Sequence, residues 1–155
     1  GARAGAGLGL ALAADLRLAA SSAVFKTAFL TAAMSGDFGT AWSLSRLLGE
    51  ARARELYFLN ERIDTDVAAR LGLVSKVFEA DVFTQEVDRV ARAIATSAPL
   101  AREGMKLNLN EAHAIDLTEA IARESSRHVA CAFSADAAEA GSAFLERRPP
   151  VFSGR

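Results

Sequence analysis

The chain has 155 residues, 51% of them apolar, a formal charge of −1 and one cysteine, Cys131. That length and apolar share suit one packed domain or a large piece of one; the balanced, scattered charge leaves no electrostatic footprint for nucleic acid. A lone cysteine gives neither a disulfide framework nor a metal cluster, which makes a reducing, cytoplasmic setting the expectation, and the apolar run near the N-terminus is broken by Asp15 and Arg17 before it could span a bilayer.

In chain order, Gly5–Ala14 reads as a short buried helix entered through the small-residue turn Gly5-Ala6-Gly7. No strand can precede Gly1, where the sequence begins. Leu16–Ala20 alternates as a strand does, Ser21-Ser22 is a turn, Val24-Phe25 is extended, and Thr27–Ala33 fits no single pattern. Ser35-Gly36-Asp37-Phe38-Gly39 is a loop by its turn residues. Thr40–Leu48 is a helix stopped by Gly49, Ala51–Leu59 a second, and a third starts at Asp64 or Thr65 and ends at Gly72. Leu73–Phe78 completes the strands.

From Thr84 onward the periodicity is helical. Val87, Val90, Ala91 and Ile94 share one face, Pro99 suits a first turn, and Asp116 with Glu119 resembles a capping box. Ser134 starts a last helix with an apolar face of Ala137, Ala140, Gly141 and Phe144, and Pro149-Pro150 ends it. The expectation is therefore an α/β part over residues 1–80 and a helical part over residues 81–155.

The opening turn is the first chemical signal. Small residues at a helix start leave backbone N–H groups free and let a ligand come close. An oxygen gaining negative charge would be stabilised there. A dinucleotide site is a poorer fit: Gly5-Ala6-Gly7-Leu8-Gly9-Leu10 breaks the G-x-G-x-x-G spacing, and Asp15 comes too early to meet a ribose.

Three stretches together resemble the crotonase, or enoyl-CoA hydratase/isomerase, superfamily. Gly1 to Leu16 matches its glycine signature. Arg52-Ala53-Arg54-Glu55-Leu56, Arg62-Ile63-Asp64 and Leu71-Gly72-Leu73-Val74 follow its middle run in order, with Asn60 where glycine is usual. Phe144-Leu145-Glu146-Arg147-Arg148-Pro149-Pro150-Val151-Phe152 is similar to its C-terminal segment. The resemblance implies a partial ββα spiral followed by a helical trimerisation region, in a homotrimer or homohexamer. It also implies a coenzyme A thioester as substrate, with no separate cofactor and no metal. A preceding portion, carrying one of two oxyanion donors and much of the adenine pocket, lies outside this sequence.

By the same resemblance the second oxyanion donor is the Ala6 amide, with Gly5, Gly7, Phe29 and Phe38 lining the substrate. The resemblance also offers Lys106, Arg147 and Arg148 as contacts for CoA phosphates, and solvated helix ends explain these residues equally well. The two glutamates that hold the water in hydratases fall on Gly9 and Phe29, and neither residue moves protons. The remaining carboxylate is Asp37, whose burial near Phe29 and Phe38 would make it a better base; the competing role is a bond to its own turn. His128 reads as a partly buried packing residue and His113 as surface, and Trp42 and Tyr57 read as core or interface.

The reading that follows is enolate-stabilised isomerisation of an enoyl-CoA with Asp37 as the acid/base. Two others remain open: a hydratase-named homologue of weak or unusual activity, and a non-catalytic acyl-CoA-binding or assembly subunit.

Overall fold

A short strand leads into the glycine turn. In the computed structural model, which describes residues 2–155, β1 (Ala2–Ala4) runs parallel to β3 (Val24–Lys26), with Arg3 opposite Phe25. The sequence pattern does not mark this strand, since the first element read from it begins at Gly5. The signature's first position, Gly1, lies outside the described residues. β3 also pairs antiparallel with β4 (Ile63–Asp64), and β2 (Leu18–Ala20) pairs in parallel with β5 (Lys76–Phe78) as a separate two-stranded sheet.

Helix α1 (Ala6–Leu12) is shorter than its apolar run and buries only Leu8, Gly9 and Leu12; Leu10 stays 59% exposed. Leu8 and Leu12 are one helical turn apart, so one face enters the core. There they meet Ala19, Phe25, Leu44, Ala53, Ala68 and Leu73. A 3-10 turn, Leu30–Ala32, occupies the segment that fitted no pattern. Helices α2 (Thr40–Leu48) and α3 (Glu50–Leu59) share Gly49, whose φ of 81° ends one helix and starts the next. Helix α4 (Thr65–Arg70) is capped by Asp64, whose carboxylate accepts from the Val67 amide at 2.9 Å.

The chain forms two compact units, Gly1–Asp88 and Arg89–Arg155, and the break falls inside helix α5 (Phe83–Ala95). In the second unit, α6 (Pro99–Glu111) and α7 (Leu117–Ala132) are joined by Arg127. It reaches both carboxylate oxygens of Glu111 at 2.8 and 2.9 Å and Asn108 Oδ1 at 2.5 Å. Asp116 caps α7 through the Glu119 amide, and Ser134 caps α8 (Ala135–Glu146) through the Ala137 amide.

The buried side of α8 is not the expected one. Ala143 and Asp136 are buried, whereas Ala140, Gly141 and Phe144 are exposed, Phe144 by 82%. The reason is the C-terminal segment. The Asp136 carboxylate accepts from the Ser153 and Gly154 amides at 2.7 and 2.9 Å, and the Asp136 amide donates to the Arg155 carbonyl. One turn on, Glu139 accepts from Arg148 at 2.5 and 2.8 Å and from the Val151 amide at 2.8 Å. Hydrogen bonds from Arg148, then from the Val151 amide, hold the Glu139 carboxyl at about 2 against an ordinary 4.5.

Two outcomes follow from this packing. Leu44 is fully buried, so Leu44→Ala should cost about 2–5 kcal/mol in chemical denaturation. A carboxyl held below its unfolded value stabilises the fold above that value and ceases to do so as it is protonated. The clasp on the C-terminal segment should therefore be intact above pH 4.5 and loosen as pH falls toward about 2. The Val151 amide shift in an NMR titration reads this, and in Glu139→Gln the shift should sit at its loosened position already at neutral pH.

Candidate active site

At the head of α1, Gly5 adopts φ 51°, ψ −125°, a conformation that favours glycine. Its amide donates to the Thr27 carbonyl at 3.0 Å and more weakly to Lys26 at 3.3 Å, tying the end of β1 to the end of β3. The Leu8 and Gly9 amides turn back to the Gly5 carbonyl at 3.0 and 3.2 Å. The two amides between them, Ala6 and Gly7, have no hydrogen-bond partner among the described residues, and Ala6 is exposed. These are first-turn donors with no intrahelical acceptor, so the Ala6 N–H is available to an outside oxygen.

Phe29 lies beside this turn. A Cβ on Gly5 would sit 3.9 Å from the Phe29 ring edge, and the ring is buried and stacked on Tyr57 at 5.9 Å between centroids. The segment carrying it is held by Asn60. Asn60 Oδ1 accepts from the Ala28 amide at 2.9 Å, and Asn60 Nδ2 donates to the Thr31 hydroxyl at 2.6 Å. The Thr27 hydroxyl donates to the Leu56 carbonyl at 2.9 Å. Tyr57 is half-buried, and its hydroxyl is enclosed without a hydrogen bond of normal geometry. Burial pushes this phenol above its ordinary value, and the nearby Thr40 hydroxyl pulls weakly the other way.

The Ser35–Gly39 loop packs on the same side of α1. A Cβ on Gly9 would lie 2.6 Å from Thr40 Oγ1, 2.9 Å from Phe38 Cβ and 3.3 Å from the Asp37 carbonyl oxygen. Gly9 and Ala6 are three residues apart on the helix and so share a face, which brings the Asp37 backbone within about one helical turn of the free amide. Asp37 Oδ1 accepts from the Phe38 amide at 2.7 Å, and the Asp37 carbonyl accepts from the Thr40 amide and hydroxyl at 3.0 and 2.6 Å. Asp37 is exposed, as is Phe38 by 56%. The burial expected of this carboxylate is absent, because Phe38 at φ 48° turns its ring outward and Phe29 stacks on Tyr57 instead.

The structure thus gathers Gly5, Ala6, Gly7, Phe29, Asp37 and Phe38 around one end of α1. The basic candidates belong to the second unit. Lys106 is exposed on α6, and Arg147 caps α8 with φ 54°. Arg148 is taken up by Glu139 and by Glu146, the latter at 2.6 Å. His128 is exposed, against the partly buried position expected of it, and lines a 720 Å³ hollow with Met105, Asn108 and Cys131. His113 is also exposed. Trp42 is 63% exposed, with the Arg46 guanidinium 3.8 Å from its ring centroid.

Sequence reasoning missed the tethers made by Asn60 and Asp136. For Asn60 a signal existed, since asparagine tolerates the left-handed conformation and its φ is 54°. A second hollow, of 620 Å³, opens on the α1 face opposite Gly9, between Gly7, Ala11, Leu18 and Phe25. Its only titratable side chain is Arg17, which already donates to the Leu73 and Ala14 carbonyls; burial holds its pKa below the ordinary value, partly offset by Asp15. That hollow offers no proton-transfer group. Among the described residues no three His, Cys, Asp or Glu side chains gather to hold a metal, and no helix is long and apolar enough to cross a membrane.

The profile of the enoyl-CoA hydratase/isomerase family matches residues 1–155. A short-chain-enoyl-CoA hydratase of Clostridium acetobutylicum is 33% identical over 93% of the chain, and a 1,2-epoxyphenylacetyl-CoA isomerase of Escherichia coli is 33% identical over 100% of it. The chain spans 55% of the first and 59% of the second. The crystal structure of an enoyl-CoA hydratase from Polaromonas superposes with a TM-score of 0.93 at 39% identity, over 99% of this chain and 60% of that one. The crotonase-type arrangement of short strands and helices is therefore the fold, and the chain belongs to the enoyl-CoA hydratase/isomerase family.

Proposed function

We propose that this chain belongs to a crotonase-type acyl-CoA enzyme that isomerises an enoyl-CoA through a thioester enolate. The observation that carries the reading is the Ala6 amide, without a partner among the described residues, with a single carboxylate, Asp37, on the loop that packs against Gly9 of the same helix. Gly9 and Phe29 have no proton to exchange, so the two-carboxylate activation of water has no counterpart among these residues.

In the proposed step, the Asp37 carboxylate takes a proton from C2 of a 3-enoyl thioester. The electron pair moves into the thioester carbonyl, and the resulting oxyanion accepts from the Ala6 N–H. The protonated Asp37 then returns its proton at C4, the carbonyl re-forms, and the double bond ends between C2 and C3. Nothing is consumed and no redox partner is needed. A fixed donor such as Ala6 contributes about 2.7–4 kcal/mol to the barrier in comparable sites. Gly5 and Gly7 leave room for the thioester, and Phe29 and Phe38 flank the acyl chain.

Lys106, Arg147 and Arg148 are the proposed contacts for CoA phosphates, and Arg148 would exchange Glu139 and Glu146 for them. A homotrimer or homohexamer in a cytoplasmic setting completes the proposal. It is supported by the exposed Leu117, Phe133, Phe144 and Leu145 on the second unit's helices, an apolar area of the kind that marks interaction surfaces.

Turnover of 3-enoyl-CoA and of 2-enoyl-CoA by the intact protein, with and without Asp37→Asn, tests the reading. Isomerisation should fall about 10²–10⁴-fold in Asp37→Asn, the usual contribution of a positioned acid/base. Hydration that survives the substitution would identify a hydratase instead. Thioester binding with no turnover by the wild type would identify a binding or assembly subunit, a role that the exposure of Asp37 favours.

A further inference from the structure

The contact between Gly9 and the Ser35–Gly39 loop is closer than any side chain would permit. Real Cβ atoms do not approach other heavy atoms at 2.6 or 2.9 Å, and those are the distances a Cβ on Gly9 would have to Thr40 Oγ1 and Phe38 Cβ. Neither neighbour can step aside cheaply. Thr40 is 1% exposed, and its hydroxyl is committed to the Asp37 carbonyl. Phe38 Cβ is fixed by a backbone at φ 48°. The far end of the loop is equally confined, since a Cβ on Gly36 would meet the enclosed Tyr57 hydroxyl at 3.3 Å.

Both residues that rest on Gly9 also hold Asp37. The Phe38 amide donates to Asp37 Oδ1 at 2.7 Å, and the Thr40 hydroxyl donates to the Asp37 carbonyl at 2.6 Å. We propose that Gly9 is a positioning residue: by yielding its side-chain space to Phe38 and Thr40, it seats the Asp37 loop against the face of α1 that also carries Ala6. This rests on the isomerase reading above. A Cβ at position 9 and the present position of the loop need the same volume.

The test uses the intact protein as wild type, Gly9→Ala, Thr40→Ala and the double variant. Gly9→Ala should lower kcat for 3-enoyl-CoA isomerisation by roughly tenfold or more with KM within about twofold, since the carboxylate is displaced while the binding surface is kept. In the Thr40→Ala background, where the closest of the three contacts is gone and that with Phe38 Cβ remains, the same substitution should cost less than it does in the wild-type background. A kcat unchanged in Gly9→Ala, a rise in KM alone, or an equal loss in both backgrounds overturns the proposal. If Gly9→Ala does not fold, a folded double variant upholds the seat and an unfolded one overturns it. Should the wild type bind a 3-enoyl-CoA without turning it over, the isomerase reading fails. The melting temperatures of the four proteins then decide the seat separately: non-additive shifts uphold it and additive shifts overturn it.

Discussion

Helix α1 depends on positions where no side chain stands between it and its neighbours. Gly5 turns at positive φ so that its amide reaches the Thr27 carbonyl, which fixes where the helix begins relative to β3. Gly9 lets Thr40 Oγ1, Phe38 Cβ and the Asp37 carbonyl rest directly on the helix. Leu8 and Leu12 anchor the remaining face in the core. The loop is held against the helix by the contact at Gly9 and by the Thr40 hydroxyl on the Asp37 carbonyl. Protein interiors tolerate such close approach only where it is exact to a few tenths of an ångström.

Much of this was legible in the chain because it is local chemistry. The caps at Asp64, Asp116 and Ser134 are short-range hydrogen bonds written in adjacent residues, and all three form. The stop at Gly49 follows from a conformation few other residues adopt. Strand β4 is two residues long and has no periodicity to detect. Helix α8 defeated pattern reading for a different cause: alanines on nearly every side give no contrast, and its buried face is set by Asp136, a polar residue satisfied by amides 17 and 18 positions away. The exposure of Asp37 was likewise hidden, because the presence of Phe29 and Phe38 nearby in sequence says nothing about which way their rings turn.

The second unit is organised by ionic contacts on its helices more than by a deep core. Arg127 and Arg123 converge on Glu111, and hydrogen bonds from Arg127 lead the lowering of that carboxyl's pKa. Pairs of this exposure contribute little singly and more as a network. Its large apolar side chains face outward on α7 and α8, the reverse of the first unit, where Leu8, Leu44 and Leu73 are enclosed. The two units thus express two ways of using a similar composition.

Asn60 meets two demands that a glycine could meet only one at a time. Its left-handed backbone ends α3, which glycine would do as well. Its amide group also spans the Ala28 amide and the Thr31 hydroxyl, stapling the stretch that presents Phe29. A chain with glycine at this position would keep the bend yet leave the ring beside the Gly5 turn on a slack tether. The asparagine is therefore a gain of stiffness in the segment that carries Phe29.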